Sequence, residues 1–241
     1  MLEIEGLLKD GKTKRIYATS DPDRAVLYFK DEAIAFHGLK RGRILGKGEV
    51  NNQICRHIFT MLGAHGIANH FVEQLDARQS LVKRCEMIPL TVTVRNVAAG
   101  SLTQRLGIPL GQVLTPKVVE FHLRNPKMDH PLINNTHIEA MGIATRAEAE
   151  QMRETALRIN DLLRSYMLEI GVELIDLKLR FGRFHKELLV ADEISPDTAR
   201  FWDVQTHEAL DLDRFREDMG NAEDAYQELL HRMMGGERAE Q

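Results

Sequence analysis

An α+β fold in two lobes is the class the sequence predicts, and three observations predict it. Residues 1–90 alternate short extended runs with turns. The second half carries helical periodicity, and two strand-like segments, VELIDLKLRF and KELLVADEI, return after its longest helical stretch. The lobes are expected to meet near residues 84 to 90, giving an antiparallel, β-rich lobe over 1–85 and a larger α+β lobe over 86–241, with a cleft between them.

The first lobe reads as a meander. LEIEGLLKD is extended, KRIYATS follows and is closed by Asp21-Pro22-Asp23, and AVLYFK returns. One helix interrupts it, because Val50, Ile54, Ile58 and Met61 or Leu62 recur at helical spacing behind Gly46 and Gly48. HFVEQLD and SLVKRCEMIPLTVTVRNV then read as strands. In the second lobe, Thr145 and Glu148 form a capping-box pattern ahead of Met152, Ala156, Ile159, Leu163, Tyr166 and Ile170, and Gly171 is the stop. The two later strands are expected to join as a hairpin through Gly182, and a last helix to run from Asn221 to Met234.

Composition excludes several function classes. With 241 residues, 43% of them hydrophobic, the chain can bury a sizeable core. A formal charge of -4 gives no electrostatic footprint for nucleic acid. No apolar run approaches the ~18 residues of a membrane span, and MLEIEGLLKD lacks a signal-peptide core, so a cytoplasmic protein is expected. Cys55 and Cys85 are isolated from other ligand-type residues, which favours plain thiols over zinc or a disulfide.

Four segments carry chemistry. GKTKRIY places Lys12 and Lys14 on one face of an extended segment, either a phosphate clamp or a solvated hairpin. GRILGKGEVNN leads Lys47 into a helix start, where free N–H groups favour anions; an ordinary helix start reads equally well. In MIPLTVTVRNVAAGSL, Thr91, Thr93 and Arg95 share a strand face, and Arg95 precedes a small-residue turn in which Ser101 could contact phosphate or carboxylate. The fourth is LIDLKLRFGRFHKELLVADEISPDTARFW. If Leu177, Leu179 and Phe181 face a core, Asp176, Lys178 and Arg180 face the other way, beside Asp192-Glu193. A salt-bridge ladder is the structural alternative. SPDTAR adds Asp197 and Arg200 at helical spacing in a turn that Ser195 caps.

GKTKRIY, GKGEVNN, VRNVAAGSLTQRLGIP, LIDLKLRFG, VADEISPDTARFWD and LDLDRFRED occur in the order and spacing of SAICAR synthetase, and the resemblance runs from Gly6 to Met234. It implies a two-lobed SAICAR synthase-like fold with ATP in the interlobe cleft, Mg2+ as a second cofactor, and a homodimer. It implies a reaction in which ATP, a carboxyaminoimidazole ribonucleotide and L-aspartate give an amide, ADP and phosphate. Transferred by position, the resemblance makes Lys12 and Lys14 nucleotide-phosphate ligands and sets Lys83 to Met87 beside adenine. It puts Arg95, Ser101 and Arg200 on the ribonucleotide phosphate, Asp176, Lys178 and Asp197 on the acceptor side, and Asp192 at the magnesium nucleotide.

Several positions depart from the family pattern. DFKLEFG usually has glutamate, expected to help bind magnesium, where this chain has Arg180; PLEVVVRN has glutamate where Thr91 stands. His130 replaces the aspartate of a GDP tripeptide, and His37 replaces an aspartate or asparagine. Three readings follow: the purine ligase itself with Arg180 standing in for part of a metal's role, a paralogue with another azole carboxylate or amine, and a non-catalytic nucleotide-binding homologue.

Overall fold

The computed structural model describes residues 3–35 and 38–235; His37 lies outside them. Two antiparallel sheets organise the chain. The first, in the order β1-β2-β3-β7-β6, is built from β1 (Ile4–Asp10), β2 (Lys14–Thr19), β3 (Arg24–Phe29), β7 (Gln79–Lys83) and β6 (Phe71–Gln74). Between β3 and β6 stand a two-stranded sheet, β4 (Glu32–Ala35) with β5 (Lys40–Arg43), and α1 (Lys47–Ala64). Gly46 precedes α1 in the left-handed region at φ 77, and the predicted stripe of Val50, Ile54, Ile58 and Leu62 is buried.

The second sheet begins at β8 (Glu86–Met87), directly after the chain leaves β7. Its backbone is β11 (Leu132–Ile133), β10 (Val113–Leu123), β9 (Leu90–Val97), β12 (Val172–Phe184) and β13 (Glu187–Ala191), with β8 and β14 (Ala199–Asp203) also pairing with β12. Helices α2 (Ser101–Leu106), α3 (Asn135–Ala140), α5 (Asp213–Arg216) and α6 (Ala222–Gly235) lie between and after these strands. The longest helix, α4 (Arg146–Glu169), starts at the predicted capping box, with Thr145 accepting from the Glu148 N–H and Glu148 from the Thr145 N–H. It buries Met152, Ala156, Ile159, Leu163 and Met167, and ends before Gly171 at φ 73. One hydrophobic cluster runs from Ala25 through α1, α4 and β12 to Met233, so both sheets share a core.

Three local expectations need correction. The β12–β13 hairpin turns at His185-Lys186, both at positive φ (46 and 71), and Gly182 lies inside β12. That glycine serves a close approach instead: a Cβ there would sit 2.6 Å from the Cβ of Cys85 as β8 crosses. Lys12 lies in the turn before β2, exposed, whereas Lys14 opens the strand and is buried, so the two lysines do not share a strand face. Asp197 and Arg200 do not form a helical turn, because Arg200 has already entered β14, where pairing with β12 overrides the i, i+3 pattern.

Candidate functional site

Strand β12 carries the site. Its alternation buries Leu177, Leu179 and Phe181 in the core and turns Asp176, Lys178 and Arg180 to the opposite face, as predicted. At ~3.3 Å per residue, Asp176 and Arg180 stand ~13 Å apart, so one strand serves two separate polar clusters with Lys178 between them.

The first cluster is a row across three strands. Asp176 is in register with Arg95 of β9 on one side and Arg200 of β14 on the other. Its Oδ2 accepts from Arg95 Nη1 at 3.1 Å and from Arg200 Nη1 at 2.7 Å. Arg95, 2% exposed, also donates to Glu120 at 2.7 Å, and Glu120 binds Arg105; its Nη2 lies 3.5 Å from Ser101 Oγ. Arg200 donates through Nε to Asp213 at 2.6 Å, and Asp213 also holds Arg216. Burial alone would lower the Arg200 value; Asp176 and Asp213 outweigh it, and the guanidinium stays charged. Gly100 makes the row possible, since at φ 56 a Cβ would meet Arg200 Nη2 at 2.5 Å.

Lys178 forms no ion pair among those described. Burial pushes it down to about 8; Asp176 opposes the shift, and Arg216, Arg200 and Arg95 add to it. The cations Arg95, Arg105, Lys178, Arg200 and Arg216 face the carboxylates Glu120, Asp176 and Asp213. Asp211 lies beneath, pushed up to about 7 by burial and by Asp213, while its oxygens accept the Phe201 and Asp213 N–H groups. The cluster therefore has an excess of about two positive charges.

The second cluster lies at the Arg180 end. Asp192 follows β13 at φ 73, a conformation that costs a non-glycine residue stability. Its Oδ1 is 2.8 Å from Lys14 Nζ and its Oδ2 is 3.0 Å from Arg180 Nη1. Burial would raise the Asp192 carboxyl, but Lys14 and Arg180 prevail and hold it well below the usual carboxylate range. Lys14 also binds Glu193, whose second oxygen accepts from Ser195 Oγ at 3.0 Å.

Asp197, predicted beside the acceptor, sits in a third cluster. It pairs with the fully buried Lys47 at 2.6 Å and accepts from Tyr226 Oη at 2.7 Å, which ties α1 and α6 to the 195–198 loop. Lys83 ends β7 with its Nζ 5.8 Å from the Phe184 ring. Met87 lines a cavity of about 610 Å3 with Pro89, Met141 and Ile143; Lys12, Lys14 and Asp192 do not line it. Glu120, Glu193, Asp213, Arg216 and Tyr226 had no place in the sequence-based site. LDLDRFRED held two of them, Asp213 and Arg216, which pair with each other, but only the fold brings Asp213 to Arg200 of β14.

A family model for SAICAR synthetase matches residues 7–233. The chain belongs to the SAICAR synthetase family. It is 49% identical to phosphoribosylaminoimidazole-succinocarboxamide synthase of Brevibacillus brevis, over 97% of this chain and 98% of that one. The corresponding crystal structure from Ehrlichia chaffeensis superposes with a TM-score of 0.93 at 37% identity, covering 94% of this chain and 98% of that one. A Type-2 SAICAR synthetase in complex with ADP gives 0.92 at 40%, covering 94% and 97%. Both likenesses bear out the α+β SAICAR synthase-like fold, and membership makes the chain an amide-forming ligase. The Mg2+ implied by the family finds no preformed cage: among the described residues no three His, Cys, Asp or Glu side chains converge, and both oxygens of Asp192 already face cations.

Proposed function

We propose that this chain joins L-aspartate to carboxyaminoimidazole ribonucleotide at the expense of ATP, giving SAICAR, ADP and phosphate. The observation that carries the reading is the Arg200–Asp176–Arg95 row, set in a cluster whose excess is about two positive charges. A phosphate monoester brings about -1.5 to -2 at pH 7 and matches that excess. Arg200, Arg95 and the Ser101 hydroxyl hold the ester, Asp176 fixes both guanidinium groups, and Lys178 meets the substrate carboxylate. ATP lies toward Lys14 and Arg180, between a nucleotide lobe of residues 1–85 and a substrate lobe of 86–241; the neighbour solved with ADP supports use of an adenine nucleotide. Lys12 reaches the nucleotide from its exposed turn, and Lys83 and Met87 flank the base.

The chemistry follows from the poor leaving group of a carboxylate. A carboxylate oxygen of the ribonucleotide attacks the γ-phosphorus, ADP leaves, and an acyl phosphate forms. The aspartate amine then attacks the acyl carbon, the C–O bond to phosphate breaks, and the amine's proton is lost as the amide forms. Charge moves along the phosphates in the first step, and Lys14, Arg180 and Lys178 are fixed cations there. Cytoplasmic residence and a homodimer belong to the same proposal; the exposed apolar side chains of Leu106, Leu110 and Val113 support the second.

The test is ADP release coupled to product detection with purified chain, ATP, magnesium, the purine ribonucleotide and aspartate. ADP and SAICAR are expected in equal amounts from the complete mixture, with no SAICAR when any one substrate is left out and with ADP release in the absence of aspartate confined to a single turnover. Sustained ADP release without the ribonucleotide, or none from the complete mixture but some from another azole carboxylate or amine, defeats the assignment.

A further inference from the structure

The second cluster is a carboxylate site already filled by cations of the protein itself. Asp192 is held at positive φ, and from there its two oxygens reach Lys14 on one side and Arg180 on the other. The two oxygens of Glu193 are engaged by Lys14 and Ser195. A divalent cation arriving with a nucleotide's phosphates would find each of the four oxygens already engaged by a protein donor and the Lys14 and Arg180 charges beside them opposing its approach. Arg180, meanwhile, has donors to spare. It gives one N–H to Asp192, while its Nε is buried without a partner among the described residues. Arg124 stands near enough that the two guanidinium charges disfavour one another. An anionic oxygen placed between them satisfies the orphaned N–H and relieves that repulsion.

We propose that Arg180 is a nucleotide-phosphate ligand, oriented by Asp192, whose fixed charge and fork of donors do beside Asp192 what a protein-ligated divalent ion would otherwise do. The proposal rests on the nucleotide lying at this end of the cleft. It makes phosphate affinity depend on a side chain rather than on metal added to the solution.

ADP binding by calorimetry to the full chain, once with EDTA and once with magnesium, separates the two. The wild type is expected to bind ADP in both, with Kd values within about threefold of each other. Arg180→Ala is expected to lose about tenfold or more in EDTA, and Arg180→Lys, which keeps charge but loses the fork, a smaller factor. Arg180→Glu should bind no ADP in EDTA and recover with magnesium, since it turns a cation into a metal-type ligand. Ligand-free unfolding of each variant reports whether it folds, and Arg180→Lys carries the test if the others do not. A wild type that loses more than about tenfold in EDTA, or an Arg180→Lys variant as tight as wild type, overturns the proposal while leaving the nucleotide site standing. No ADP binding under either condition sinks the nucleotide placement and this inference with it.

Discussion

Lys178 shows how a single side chain can report on the whole site. Its value of about 8 is set first by burial, then by the balance of Asp176 against Arg216, Arg200 and Arg95. If its charge meets the substrate carboxylate, kcat/KM for the ribonucleotide is expected to hold up to about pH 8 and then fall about tenfold per unit. Stability moves the other way. The folded value lies below the 10.5 of a free lysine, so the unfolded chain binds more protons between about 8 and 10.5, and stability rises with pH through that window. Lys178→Met should therefore stabilise the fold at pH 7 by about 1–3 kcal/mol and abolish turnover, with the gain vanishing toward pH 10.5. Denaturant melts at several pH values decide it, and a gain that does not shrink with pH removes the buried-charge account. The alternation of Asp176, Lys178 and Arg180 was legible because a strand's period of two needs no tertiary information. Glu120 and Asp213 were not, because it takes the pairing of β10 with β9 to bring Glu120 to Arg95 and the return of the chain through α5 to bring Asp213 to Arg200.

Among the elements, the β12–β13 hairpin is the instructive miss. Gly182 looked like the turn because glycine is the usual residue at positive φ, yet here its missing side chain admits Cys85, and the turn falls to two residues with Cβ atoms. His185 and Lys186 both occupy the left-handed region, where each costs about 1 kcal/mol. Replacing them together with Asn-Gly is expected to stabilise the chain by about 1 kcal/mol; the exposed His185–Asp23 contact, lost in the exchange, offsets little of it. Gly182→Ala should instead destabilise it by about 1–3 kcal/mol through overpacking against Cys85 and Met87. Thermal melts of the two variants should move in opposite directions; a shared direction would return the turn to Gly182. The capping box at Thr145 succeeded where this hairpin failed because a cap is written in adjacent residues, whereas a close approach depends on what crosses the strand.

For the molecule as a whole, the question is what binds the two sheets into one cooperative unit. Apolar packing is continuous from Ala25 to Met233, and two buried ionic links cross with it: Lys14 to Asp192 and Glu193, and Lys47 to Asp197, the latter braced by Tyr226 from α6. The second link was not legible beforehand, since Lys47 and Asp197 are 150 residues apart and each reads alone as a ligand for an anion or an amine. Buried pairs are asymmetric. Making one adds little net stability, but removing one partner strands the other charge away from water. Lys47→Met should therefore cost about 3–5 kcal/mol, because the neutral Tyr226 hydroxyl does not cancel the Asp197 charge, whereas Arg153→Met, at an exposed pair with Glu150, should cost under about 1 kcal/mol. Adding Asp197→Asn to Lys47→Met removes the stranded charge and should recover part of the loss, a coupling that a packing defect at Lys47 would not show. Calorimetry of the four proteins should show one transition each, displaced in that order; two transitions in wild type would mean that the sheets unfold separately and that these links do not hold them together.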